Sequence, residues 1–270
     1  MRAVCVVGLG KNSINLARNI SLNLKLNKLL ISNEPGNENI FIEKEKISFL
    51  ESEKVSTEYD EIFVNILNNY KNTELFIVIS DMYDIYSISL TKIFGRFAKK
   101  FHLNSLAILL LPSASEINKY ENAEKQIENF KENYNLIIRI GKDGIFKEFK
   151  DLPIKFIDKV EYEITLLLIK NLAEVFSIQE IINISSVSKE LGFGLSITER
   201  MDKLVEAFQE AESSPWLNNG KNNYIISFNG IVEYGDITQI EKIIKFKNFN
   251  IKINKNLNQG RKIEILILNY

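Results

Sequence analysis

Short apolar runs separated by amphipathic stretches constrain this chain more than any other feature of its sequence. Ala3–Val7, Leu29–Ser32, Leu75–Ser80, Ser105–Leu111 and Leu136–Ile140 are rich in Val, Ile and Leu, with Arg139 the one charge among them. Strands buried on both faces read this way, because side chains on either side meet protein rather than water. Between them, Ser13–Leu24, Thr57–Asn69, Ser89–Phe101 and Glu116–Tyr134 show helical spacing, as in Tyr59, Ile62, Phe63 and Ile66. Phe41–Ile42 and Ile47–Leu50, inside an acidic solvated stretch, fit short strands or turns equally. Strands alternating with helices predict an α/β unit built on a parallel sheet covered on both faces.

After Pro153 the pattern changes. A long helix over Phe156–Ser177 carries the apolar stretch Ile164–Ile169 and is expected to be buried on more than one side. From Ile181 the chain offers two strand-like runs, a helix at Thr198–Ala211, a strand at Tyr224–Phe228, a helix at Ile237–Phe246 and a strand at Lys262–Leu268. Asp236 with Gln239 reads as a capping box for the second of these helices. The organisation expected is an α/β domain over 1–154, a central helix over 155–178 and a smaller α+β domain over 179–270.

Charge narrows the partners. Lys plus Arg number 34 against 35 Asp plus Glu, so no whole-molecule field draws in nucleic acid or an anionic membrane. No segment approaches ~18 uninterrupted apolar residues, so membrane insertion is not expected. The single cysteine, Cys5, lies in an apolar run as a buried thiol and suits a reducing, cytoplasmic setting.

Three segments resemble the tubulin/FtsZ family, the FtsZ branch most. Val6–Asn15 (VVGLGKNSIN) resembles the family's opening glycine-rich loop, with Gly8, Gly10 and Asn15 in place. Ala123–Ile140 resembles the helix and strand after the ribose-contacting loop. Ala211–Leu217 (AESSPWL), followed by the Tyr224–Phe228 strand and the turn at Asn229-Gly230, resembles the second-domain signature, which a generic dinucleotide fold does not explain. The resemblance implies a Rossmann-like nucleotide domain joined by a central helix to an activation domain, with GTP or GDP as ligand and head-to-tail filaments. It also implies self-association, or assembly with an active homologue. The chain ends two residues after its last strand, so the flexible tail that recruits membrane tethers is not expected.

Against that resemblance, the residues between the third long strand and its helix stand out. The family places GGGTGTG there after a methionine, because backbone N–H groups can converge on phosphate oxygens only where the chain reaches positive φ freely. Here Met82 is followed by Tyr83, Asp84, Ile85, Tyr86, Ser87, Ile88 and Ser89, with no glycine. A carboxylate of Asp81 or Asp84 ~5 Å from a phosphate, at an effective permittivity of ~20, costs roughly 3 kcal/mol, about two decades in affinity. Tight GTP binding is not expected, unless Asp81 and Asp84 hold Mg²⁺ and invert the local sign. The family's N-x-D-x-x-D hydrolytic loop corresponds to Asn183, Ser185 and Ser188, and a serine hydroxyl is no base near neutral pH without an activator. His102 ends a helix as a structural residue, and no catalytic constellation emerges.

By resemblance, Glu116 falls at the ribose contact and Glu163 at the base contact, while Tyr120 and Lys142 replace an arginine and an asparagine. Lys11 is either a phosphate contact or a solvated lysine. The reading that results is a non-hydrolysing structural or regulatory subunit, with a divergent GTPase as the alternative. A nicotinamide-dependent enzyme is a third, resting on Gly8, Gly10, Ser13 and Glu34 in a dinucleotide pattern. Finally, Glu34–Glu61 holds nine acids against three lysines, and Lys245–Lys262 holds five lysines and Arg261 without an acid. Opposite charges of this kind can steer head-to-tail contact, or be two unrelated solvated faces.

Overall fold

A computed structural model describes residues 3–36, 40–42, 64, 68–244, 248–254 and 262–270. Ile47–Leu50 and nearly all of Thr57–Asn69 lie outside the described residues, as does most of each charged stretch. The chain divides into two compact units, Met1–Lys142 and Asp143–Tyr270.

The first unit is a parallel sheet. Its strands are β1 (Val4–Leu9), β2 (Asn27–Ser32), β3 (Ile40–Phe41), β4 (Leu75–Asp81), β5 (Ser105–Leu111) and β6 (Leu136–Gly141). They pair in parallel in the order β3-β2-β1-β4-β5-β6. Every residue of β1, β4 and β5 is buried, which is why these segments are continuous apolar runs rather than alternating ones. Helices α1 (Lys11–Leu24), α2 (Ile85–Lys100) and α3 (Ile117–Asn133) link the strands. Gly8 lets α1 settle on β1, since a Cβ there would stand 2.8 Å from both Ala17 Cβ and Ser13 O. Phe76 of β4 meets Phe94 of α2 edge-on at 6.0 Å, and the fully buried Tyr134 donates its hydroxyl to Thr91 O at 2.7 Å.

Helix α2 begins at Ile85, four residues before the sequence-based start at Ser89. The Asp84 carboxylate accepts from Tyr86 N at 3.2 Å and Ser87 N at 3.3 Å, so it nucleates the helix earlier than the apolar spacing suggests.

The second unit holds α4 (Lys142–Glu148, from its second residue), α5 (Ile157–Val175), α6 (Ile178–Val187), β7 (Glu190–Thr198), α7 (Leu204–Glu212), β8 (Asn223–Asn229), α8 (Tyr234–Ile243), β9 (Asn248–Asn254) and β10 (Ile263–Asn269). β10 pairs antiparallel with β7 and β8, and β8 pairs parallel with β9. Its core is built from Phe208, Ala211, Ile226, Phe228, Ile240, Ile265 and Ile267. The Ala211–Leu217 segment locks onto β7: Ser214 Oγ donates to Phe193 O at 3.0 Å, Phe193 N to Trp216 O at 3.1 Å, and the two rings stack at 5.3 Å.

Two expectations are corrected here, and one strand is added. The first strand-like run after Ile181 belongs to helix α6, because Ser177 and Glu180 form a reciprocal capping box. Asp236 is the third residue of α8 rather than its cap, accepting from Glu233 N at 3.3 Å. β9 adds a strand inside the lysine-rich stretch, where Phe249, Ile251 and Ile253 alternate with polar residues.

Candidate functional site

The strand order of the first unit reverses direction between β1 and β4, and open α/β sheets bind ligands in the crevice outside the carboxyl ends of strands at such a point. Here those ends are joined by the chain's own groups. Asp81 closes β4 and is only 5% exposed. Asn12 Nδ2 donates to its Oδ2 at 2.6 Å, Tyr83 N to its Oδ1 at 2.9 Å, and Asp81 N donates to Ser13 Oγ at 2.8 Å. Three links thus tie the start of α1 and the β4–α2 turn to one residue, two through its carboxylate and one through its backbone N–H. Burial pushes that carboxyl above its usual range, the Asn12 and Tyr83 hydrogen bonds and nearby Lys142 pull it back, and Asp84 adds to the upward shift.

The first turn of α2 completes the seal. Ser87 Oγ donates to Leu9 O, the last carbonyl of β1. Gly10 follows at φ +88°, and a Cβ there would lie 2.7 Å from Ser87 Oγ and 2.8 Å from Ser87 Cβ. Glycine at 10 is therefore required twice, by the backbone and by the serine lying over it. Both amides that an anion would seek at the start of α2 are taken by Asp84. Met82 is buried, and Tyr83 reaches Leu111 O at 3.4 Å with Lys142 Nζ 4.3 Å above its ring.

The other sequence candidates are placed as follows. Lys11 pairs with Glu34 at 3.2 Å, so the phosphate candidate and the acid of the dinucleotide pattern meet each other. Ser13 is fully buried against Asp81 N, and Asn15 lies exposed, accepting from Arg18 at 3.1 Å. Glu116 pairs with Lys119 at 2.8 Å, one turn along α3. Asp81 and Asp84 each have both oxygens engaged by N–H groups, and among the described residues no three His, Cys, Asp or Glu side chains gather to hold a metal. His102 follows α2 in the left-handed region at φ 54° and donates its backbone N–H to Lys99 O. Burial drives the Cys5 thiol far up, which makes it unreactive.

In the second unit, Glu163 lies exposed on α5. Asn183 accepts from Gln179 at 2.9 Å and Ser185 Oγ donates to Ile182 O at 2.8 Å, both within α6. Ser188 Oγ donates to Glu190 O at 2.8 Å and accepts from Lys221 Nζ at 3.0 Å. Sequence reasoning missed Asn12 and Ser87, whose partners lie 69 and 78 residues away, beyond any local pattern.

Solved structures with this architecture are numerous. The empty FtsZ dimer of M. jannaschii superposes with a TM-score of 0.76 at 15% identity, covering 100% of this chain and 88% of that one. The GDP-bound CetZ1 monomer of Haloferax volcanii gives 0.76 at 13%, covering 100% and 94%. This is the tubulin/FtsZ fold. TubZ of Clostridium botulinum phage c-st extends the likeness at 0.65 and 14%, over 99% of this chain and 91% of that one. In sequence, cell division protein FtsZ 1 of Thermococcus kodakarensis is 28% identical over 163 residues, 56% of this chain and 44% of that protein. The match thus spans less than half the length of that curated relative. No family model matches the chain. Among the described residues no helix is long and apolar enough to cross a membrane.

Proposed function

We propose that this protein is a non-hydrolysing structural or regulatory subunit of the tubulin/FtsZ type, which assembles with itself or with an active homologue and has given up the triphosphate as fuel. One observation carries the reading. The crevice at the β1/β4 switch point is bridged by Asn12, Ser13, Asp81 and Ser87, and the α2 amides are satisfied by Asp84. A phosphate at that helix start would have to displace an aspartate already bonded to the same donors, at the repulsion estimated above. The absence of glycine from Met82–Ser89 and of aspartate from positions 185 and 188 points the same way, from both halves of the family's catalytic site. In this reading Gly8 and Gly10 are kept for packing, and Glu116 and Glu163 are surface carboxylates.

A second reading, a GTP-binding member with a different phosphate site, draws on α1, whose N-terminal amides carry no side-chain cap. Isothermal titration with GTP, GDP and Mg²⁺ separates the two. Silence to millimolar ligand supports the non-hydrolysing subunit, and micromolar binding with phosphate release supports the GTPase. Electron microscopy of the protein, alone and mixed with an active homologue, then reads assembly directly.

A further inference from the structure

The second unit contains a cavity of about 330 Å³ that no reading above uses. Its walls come from α5, β7 and the segment after α7, with Phe149, Val160, Ile164, Leu167, Leu195 and Trp216 as the apolar lining. The volume sits at the lower end of the ~300–1,000 Å³ of small-molecule sites, and the mix of apolar wall and a few polar groups is typical of them. The polar groups here have one sign. Glu148, Glu163 and Glu210 all line the cavity, together with Ser196 and Ser214 and no basic residue.

Among the described residues none of these carboxylates is held in an ion pair. Among the described residues Glu148 and Glu163 make no hydrogen bond or ion pair, and Glu210 takes only the Ser196 hydroxyl at 3.0 Å. Glu148 and Glu210 feel each other: burial and then Glu210 hold the Glu148 carboxyl above its ordinary range, and Lys147 on the same helix offsets this only in part. Trp216 is rigidly set, stacked flat on Phe193 with its indole nitrogen against Gly144, where no side chain would fit. The apolar floor is therefore preformed.

We propose that this cavity binds a small organic monocation, an amine carried on an aromatic or branched apolar body. The body covers Ile164, Leu167, Leu195 and the Trp216 ring, and the ammonium sits between Glu148 and Glu210, relieving their repulsion. An anion of the same shape meets three carboxylates, and a neutral isostere covers the wall but leaves the acids uncompensated. A bare divalent cation gains nothing from the apolar lining.

Trp216 is the one tryptophan of the chain, so its emission reports the site directly. The full-length protein is titrated with 2-phenylethylamine, 2-phenylethanol and 3-phenylpropionate, exciting at the red edge of indole absorption. The expected result is saturable change with the amine, at least tenfold tighter than with the alcohol, and none with the carboxylate. The double variant Glu148→Gln, Glu210→Gln, at exposed positions that leave the apolar wall intact, brings the amine down to the affinity of the alcohol. Equal response to all three probes, no saturation by the amine, or undiminished amine binding by the variant would overturn the proposal. None of these outcomes bears on the β1/β4 crevice, so the proposed function stands or falls separately.

Discussion

Asp84 does at one position what a bound anion does in a phosphate site: it supplies negative oxygen to the free amides of a helix start. Asp84→Ala removes both bonds to Tyr86 N and Ser87 N. It is expected to cost about 1 kcal/mol, the usual value of an N-cap, measured by chemical denaturation. Asp81 works against stability in its ionised form. Its carboxyl is raised in the folded protein, mainly by burial, so the folded state holds the proton more tightly than the unfolded state does. The resulting contribution is fully present below the ordinary aspartate value of about 3.9 and is lost as pH rises through the raised one. Stability of the parent minus that of Asp81→Asn should therefore fall as pH rises from about 4 through that raised value. A difference that is flat or rises over that interval would contradict this assignment. Comparing the two proteins at each pH cancels the other titrating groups.

Helix α5 and strand β10 are joined by a buried polar cluster around Glu264, which accepts from Lys170 at 2.8 Å, Asn171 at 3.4 Å and Asn229 at 3.5 Å. Glu264→Ala removes the Lys170 ion pair and one bond each from Asn171 and Asn229, whose amides keep Leu167 O and Glu174 as acceptors, and is expected to cost about 1–3 kcal/mol in denaturant unfolding. A loss below 1 kcal/mol would mean that water replaces the carboxylate. At this scale the sequence was legible where burial is two-sided: the runs at β1, β4 and β5 announce themselves because no face of them meets solvent. It misled at α6, where Ile181, Ile182 and Ile184 suggested a strand although Ser177 and Glu180 already carried the S-x-x-E signature of a helix start. It also hid β9, whose alternating Phe249, Ile251 and Ile253 lie among lysines and asparagines. Of the site, Gly8, Gly10 and Asp81 stood out in the sequence. What closes it did not, because the Ser87–Leu9 and Asn12–Asp81 contacts are made only by strands brought side by side.

Across the whole molecule, a fold shared with FtsZ, CetZ and TubZ structures carries a switch-point crevice whose two rims are bonded to each other. On the reading proposed above, that closure removes the reason for assembly to depend on nucleotide, so any filament mass in pelleting assays should be the same with and without GTP. A GTP-dependent gain in pelleted protein would require the crevice to open. The most direct test is a high-resolution structure determined in millimolar GTP and Mg²⁺. The account predicts that Ser87 Oγ stays on Leu9 O and Asp84 stays on the α2 amides, with no triphosphate beside them. A triphosphate seated against Met82–Ser89, with Asp84 displaced from Tyr86 N and Ser87 N, would contradict it.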